Sequence, residues 1–207
     1  DSLFVEINNS YLTPAQESLK RIIDITISTT AAIILLPIYI FLAIAVKISS
    51  KGPVFYLQER IGKNMRPFKI IKFRTMYIDA EKFGPQLSSK HDPRITKLGR
   101  FLRKTRLDEI PQFFNVIIGN MSLVGPRPER QFYIDQIAQK APYYYSLLKI
   151  KPGITSLGQV KYGYAENVDQ MLERLKYDLA YLRNISIYLD FRIMIMTVKT
   201  IFEASGK

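Results

Sequence analysis

ITISTTAAIILLPIYIFLAIAV, residues 25–46, runs for 22 positions without a charged side chain. Wound as one α-helix it would reach about 33 Å, enough for a hydrocarbon layer of about 30 Å. Buried helices of soluble proteins rarely run this long without a polar face, so the stretch predicts a membrane segment. Pro37 sits near its middle, where it removes a helical N–H and presses on the carbonyl four residues back. Thr26, Ser28, Thr29 and Thr30 lie upstream and can bond back to the backbone at a bend. Two geometries follow: a spanning helix kinked at proline, or a helix-break-helix that enters and leaves one leaflet. Lys20 and Arg21 precede the segment and Lys47 and Lys51 follow it. Positive charge on both flanks selects no orientation and suits two ends on one, cytoplasmic, side. Asp24 falls one helical turn after Lys20 and Arg21, so KRIID, residues 20–24, is expected as a charged anchor at headgroup level.

Outward from this segment, composition narrows the chemistry. The chain has 207 residues, 30 Lys and Arg against 18 Asp and Glu, and a formal charge of +12. Such an excess favours an anionic partner: an acidic membrane surface, a phosphorylated substrate or nucleic acid. Interleaved aromatic and basic residues at 53–76 suit a nucleic-acid strand, but the membrane segment beside them argues against nucleic acid. With no Cys and a single His, His91, the sequence excludes disulfides, thiolate metal sites and a cysteine nucleophile. His91 lies in a polar stretch, 80–92, and is expected to be a loop histidine. Acid–base or nucleophilic work therefore falls to Asp, Glu, Lys, Ser or Tyr. The chain opens on Asp1 without the basic, apolar and small-residue pattern of a secretory signal. It is expected to be a piece of a longer protein.

Gly52-Pro53 marks a turn after the membrane segment. Val54–Gln58 and Phe68–Phe73 then read as a short β-hairpin around Gly62-Lys63-Asn64. A helix is expected over Ile95–Thr105, with Leu98, Phe101 and Leu102 on one side and Lys97, Arg100, Arg103 and Lys104 on the other, between Arg94 and Arg106. RKTRLDEIPQFFNVIIGN, residues 103–120, follows. Leu107, Ile110, Phe114 and Ile117 are spaced as an apolar helix stripe, which Pro111 tolerates only in the first turn. Asp108 and Glu109 are thus expected at that helix's N-terminus, with Gly119 as its stop. Capping accounts for one carboxylate. A second, among arginines and near Gly125-Pro126-Arg127-Pro128, suggests a nucleophile or a Mg2+ ligand. A stiffened Arg loop, a basic helix and a carboxylate pair together sketch a phosphoryl-transfer site, which needs charge neutralisation more than a proton shuttle.

Downstream, KPGIT at 151–155 reads as a turn entering a strand that ends near Val160, and Tyr162-Gly163-Tyr164 is a flexible aromatic loop. Leu172, Leu175, Leu179 and Leu182 form a helical core stripe beside Asp178. Residues 186–204 are apolar with a charged stripe, suited to packing on the body or lying along the membrane interface.

The order KRIID, apolar segment with central Pro, GPVFYLQERIG, KFRTM, DPRITKLGRFLRKTRLDEIPQFFNVIIGNMSLVGPRPER and KPGITSLGQV resembles the bacterial sugar transferase family. Its members are monotopic polyprenyl-phosphate phosphoglycosyl transferases, and the likeness runs from about Lys20 to Phe202. The resemblance implies a mainly α, α+β fold: a lead-in and anchor over 1–24, a re-entrant membrane helix over 25–46 broken near Pro37, and a catalytic domain over 47–207 with a small sheet and amphipathic interfacial helices. It implies that Asp108 attacks the sugar-bearing phosphate of a UDP-sugar and releases UMP. The phosphosugar-aspartate then passes its sugar-phosphate to a polyprenyl phosphate. Glu109 would join Asp108 in holding Mg2+, Arg127 would meet the donor diphosphate, Arg94, Arg100 and Arg103 either phosphate, and Asp178 would lie near the site. One departure stands out, since Leu36 precedes Pro37 where some small members carry Ser. The enzyme would start a lipid-linked glycan at the cytoplasmic face of the bacterial inner membrane; a homodimer is left open. A rival of another class is a membrane-anchored scaffold whose basic surface holds acidic lipid without catalysis. UMP release from a UDP-sugar, dependent on Mg2+ and polyprenyl phosphate, separates the two.

Overall fold

The computed structural model describes residues 12–82, 84, 86–88, 92–163 and 165–202. His91, Tyr164 and most of the lead-in lie outside these. The described chain is mainly helical, with two small two-stranded sheets.

Helix α1, Pro14–Ile34, starts on a capping box: Thr13 accepts from the Gln16 N–H and Gln16 returns a bond to the Thr13 N–H. Helix α2, Leu36–Ser49, leaves it at 62°. The break falls at Leu35, two residues before Pro37. Proline has no N–H for the Ile33 carbonyl, so the ladder stops there and Pro37 settles in the first turn of α2, where no donor is needed. Among the described residues no single helix is long and apolar enough to cross a membrane, and the bent pair together has that length and composition. Its inward side is narrow. Tyr39, Leu42 and Val46 pack with Phe73 and Leu102, while Ile33, Ile34, Ile40, Phe41, Ile44 and Ile48 stay exposed.

The polar side chains of KRIID, expected as a charged anchor, turn into the protein. Asp24 is only 4% exposed and accepts the Leu123 N–H at 3.1 Å. Arg21 donates to the carbonyls of Val116 and Ile117 at 2.6 and 2.9 Å. Lys20 donates to the Val124 carbonyl at 3.1 Å and pairs with Asp190, which also accepts the Tyr181 hydroxyl at 2.7 Å. The intrahelical pairing of Asp24 gives way because these partners lie in a drier setting, where each unmet polar group is costly. Three polar residues of α1 thus fasten it to the body.

Strand β1, Phe55–Ile61, pairs antiparallel with β2, Pro67–Phe73, from Phe55 opposite Phe73 to Ile61 opposite Pro67. The hairpin extends three residues beyond Gln58, and its turn closes through left-handed Asn64 and Met65. Helix α3, Lys97–Lys104, is capped by Thr96. Helix α4, Gln112–Ile118, ends on left-handed Gly119 as expected. Strand β3, Ser122–Val124, runs parallel to β4, Gly153–Thr155. Here a Cβ on Gly153 would stand 2.1 Å from the Gly125 nitrogen, so only glycine lets the two chains cross. The strand expected to reach Val160 stops at Thr155. Ser156 accepts the Gln159 N–H at 2.9 Å and starts helix α6, Leu157–Lys161, after α5, Gln131–Lys140. The leucine stripe of α7, Val168–Arg183, packs on α5 and the turn that follows it. Helix α8, Ile187–Phe202, buries Ile193 and exposes Tyr188, Ile195 and Val198.

Asp190→Ala strands the Lys20 ammonium, and removing one partner of a buried pair costs about 3–5 kcal/mol. Thermal unfolding in detergent should show that loss, and Lys20→Met with Asp190→Leu should recover at least half of it. An Asp190→Ala protein as stable as its parent contradicts this fastening.

Candidate active site

Between α3 and α4 the chain turns tightly. Thr105 closes α3, Arg106 takes a left-handed conformation with φ 56°, and Leu107–Glu109 forms a 3-10 turn. Pro111 stands at the N-cap of α4. Asp108 and Glu109 therefore precede the helix rather than open it, and neither caps it. The one continuous helix expected from the apolar stripe is interrupted because Arg106 reverses the chain and Pro111 supplies no donor to join the turns. The stripe still packs: Leu107 and Ile110 lie against the α2–β2 cluster, and the Tyr39 hydroxyl donates to the Ile110 carbonyl at 2.6 Å. Helix α2 thus holds the carboxylate turn in place.

The two acids, each 8% exposed, have opposite surroundings. Glu109 Oε1 accepts from Lys72 Nζ at 2.8 Å and Arg127 Nη2 at 3.1 Å, and Arg106 stands 3.9 Å from Oε2. Burial alone would raise its carboxyl; Lys72, Arg127 and Arg106 outweigh burial and hold it well below the usual carboxylate range. The hydrogen bonds between described residues leave the Asp108 carboxylate without a donor. Burial, then the Glu109 charge, pushes Asp108 up to about 6, against the pull of Lys72, Arg103 and Arg127. One carboxylate is spent neutralising cations while its neighbour is ionised at neutral pH and unengaged.

A cavity of about 220 Å3 opens over this pair. Asp108, Lys72, Arg103, Arg106 and Arg127 line it, with Glu109 behind them. Arg103 donates to the hydroxyls of Thr75 and Ser88, both at 2.8 Å. Farther along, buried Glu129 is clamped by Arg60 at 3.1 Å and Arg174 at 2.5 Å.

The cavity does not gather every expected residue. Arg94 grips Asp92 at 2.6 Å and donates to the Ala80 and Leu87 carbonyls, stapling a loop that lines the cavity while itself staying outside the lining. Arg100 is exposed on α3, also outside it. Asp178 is buried and accepts the Gly158 N–H at 2.9 Å, fastening α6 to α7. Burial raises its carboxyl, against the pull of Arg174. Arg106 belonged to the cationic cluster expected near the acids; Lys72, Arg60, Arg174 and Glu129 were not singled out from sequence. Alternation along β2 was the available signal for Lys72, because it points away from buried Phe73.

The profile of a family described as bacterial sugar transferase matches residues 15–204. The chain belongs to that family. Among its curated relatives in the bacterial sugar transferase family is the UDP-N-acetylgalactosamine-undecaprenyl-phosphate N-acetylgalactosaminephosphotransferase of Aeromonas hydrophila, 39% identical over 93% of this chain and 46% of that protein. The UDP-glucose:undecaprenyl-phosphate glucose-1-phosphate transferase of Klebsiella pneumoniae is 43% identical over 86% of this chain and 39% of its own. The protein of that description in Escherichia coli K12 is 38% identical over 94% and 42%. The chain spans less than half the length of these relatives.

The acids of this family member should separate by pH. The raised Asp108 carboxyl favours folding below its unfolded value near 4, and that contribution is lost as pH rises through about 6. At pH 8, Asp108→Asn should therefore stabilise the fold by about 2–3 kcal/mol, with the difference gone below pH 4. Glu109, held low, stabilises above its unfolded value, so Glu109→Gln should destabilise at pH 8. Denaturant unfolding across pH measures both, and shifts of equal sign contradict the assignment.

Proposed function

We propose that this chain is the catalytic part of a polyprenyl-phosphate glycosyl-1-phosphate transferase. It moves a sugar-1-phosphate from a UDP-sugar to undecaprenyl phosphate and so initiates a lipid-linked glycan. The observation that carries this is Asp108: an ionised carboxylate that accepts no hydrogen bond from the described residues and faces a cavity whose nearest walls are cationic. The relatives' names supply the substrates.

An Asp108 oxygen attacks the sugar-bearing phosphorus, the bond to the bridging oxygen breaks, and UMP leaves with that electron pair. The phosphosugar stays on the carboxylate as a mixed anhydride. An oxygen of the polyprenyl phosphate then attacks the same phosphorus, Asp108 departs as carboxylate, and a polyprenyl diphosphate sugar is formed. Neither attack requires a proton to be removed, which fits a cavity built without histidine among its described residues. Lys72 and Arg127, fixed from behind by Glu109, balance charge on the phosphoryl oxygens without having to reorganise.

Among the described residues no group of three metal-ligating side chains occurs. Mg2+ needs fewer, since it keeps waters and phosphate oxygens and takes one or two carboxylates. Asp108 and Glu109 Oε2, the oxygen less engaged by cations, fit that requirement. When bound, Mg2+ would supply further neutralisation of the donor diphosphate.

The bent pair α1–α2 completes the proposal as a re-entrant segment in the cytoplasmic leaflet of the bacterial inner membrane. Its exposed Ile, Leu and Phe side chains suit lipid, and its inward side reaches the carboxylate turn through Tyr39. The active site then sits at the height of a lipid-borne phosphate.

Purified protein given a UDP-sugar, Mg2+ and undecaprenyl phosphate should release UMP. Asp108→Asn should cut the rate at least a thousandfold, and chelation of Mg2+ should abolish it. An Asp108→Asn protein that turns over at the parent rate defeats the proposal.

A further inference from the structure

The cavity wall carries one more partly exposed carboxylate. Glu81, from the segment between β2 and α3, stands among cationic walls and is itself 34% exposed along its side chain. Its Oε1 accepts from Arg130 Nη1 at 2.8 Å and from Gln58 Nε2 at 3.2 Å. Gln58 is fixed in turn: its Oε1 accepts from Arg60 Nε and Nη2 at 3.1 and 2.6 Å, and its Nε2 reaches the Tyr56 hydroxyl at 3.2 Å. The Tyr56 hydroxyl also donates to the Glu81 carboxylate, which stays partly exposed on the cavity wall. Glu129, the other acid on this part of the wall, is by contrast clamped on both oxygens by arginines.

A carboxylate accepts hydrogen bonds and repels phosphate. In a cavity suited to a nucleotide diphosphate, its exposed edge marks where the ligand is uncharged and rich in hydroxyl donors. The strand register fixes how far that place lies from the reaction. Tyr56 stands opposite Lys72, whose ammonium holds Glu109. Cross-strand neighbours lie about 5 Å apart, and the next residue on the same face follows about 7 Å along the strand. Glu81, bonded to Gln58 and beside Tyr56, is therefore one or two such steps from the carboxylate pair. A sugar is joined directly to the phosphorus that Asp108 attacks, whereas uracil stands beyond a second phosphate and a ribose.

We propose that Glu81 recognises hydroxyl groups of the transferred sugar, with Gln58 and Tyr56 positioning its carboxylate. The assignment rests on the donor being a sugar nucleotide and adds to it the residue that selects the sugar. Glu81 also ties its own segment to α5 through Arg130, so the test has to separate reading from latching.

In an Asp108→Asn background, where chemistry is stopped, calorimetry would measure UDP-glucose, UDP-galactose, their N-acetyl counterparts and UMP. Glu81→Ala should weaken the tightest of the four sugar nucleotides tenfold or more, compress the differences among them, and leave UMP within twofold. Glu81→Gln, which keeps the shape, should follow the same pattern more weakly. Arg130→Met, which releases the latch and keeps the carboxylate, should retain most of the discrimination. Equal losses for UMP and sugar nucleotides place Glu81 at the nucleotide and overturn the proposal. Unchanged binding, or Arg130→Met matching Glu81→Ala, makes it a latch and also overturns it. Should this pattern appear while the parent releases no UMP, the transferase proposal fails and the sugar assignment stands.

Discussion

A buried glutamate held by three cations is the constraint around which the rest is arranged. Glu109 draws Lys72 from β2, Arg127 from the loop between Pro126 and Pro128, and Arg106 from its own turn to one point. A charge so deeply buried is tolerated only when paired, and removing a partner typically costs about 3–5 kcal/mol. The hairpin, the proline-stiffened loop and the turn after α3 are thereby locked to each other. The same arrangement leaves Asp108 beside a neutralised neighbour, facing the cavity, with no donor among the described residues. On the proposed function, structure and reactivity come from the same four charges.

The N-terminal helix pair joins that centre to the outside. Polar residues of α1 reach inward to carbonyls of α4 and β3 and to Asp190 of α8, and Tyr39 of α2 holds the carboxylate turn by its backbone. Apolar side chains of the same helices face outward. One bent element is thus fastened to the reaction centre on one side and, on the proposed function, to lipid on the other. Arg21 donates to the last carbonyls of α4, where the helix dipole is negative, so this fastening also completes the helix that follows the carboxylates.

Local periodicity was legible in the sequence and long-range pairing was not. The leucine stripe of α7, the β1–β2 hairpin and the stop at Gly119 are written in neighbours a few residues apart, and the structure has them. Pro37 marked the break to within two residues because its missing donor acts locally. The partners of KRIID were not legible because they lie far along the chain, at Val116, Leu123, Val124 and Asp190. The same holds for Arg94 and Asp178, cationic and acidic residues whose local spacing cannot reveal that a loop staple and a helix clamp occupy them. Asp108 and Glu109 were conspicuous as a pair, yet their division of labour depends on Lys72, which β2 delivers from 37 residues upstream.

The central claim is that Asp108 takes the phosphosugar onto itself. Intact-protein mass spectrometry, with peptide mapping after rapid quench, measures this directly on protein mixed with UDP-sugar and Mg2+ but no polyprenyl phosphate. The account predicts an added mass of one sugar phosphate on the peptide bearing Asp108, lost when undecaprenyl phosphate is supplied. An active enzyme that never carries this mass, or carries it on another residue, would contradict it.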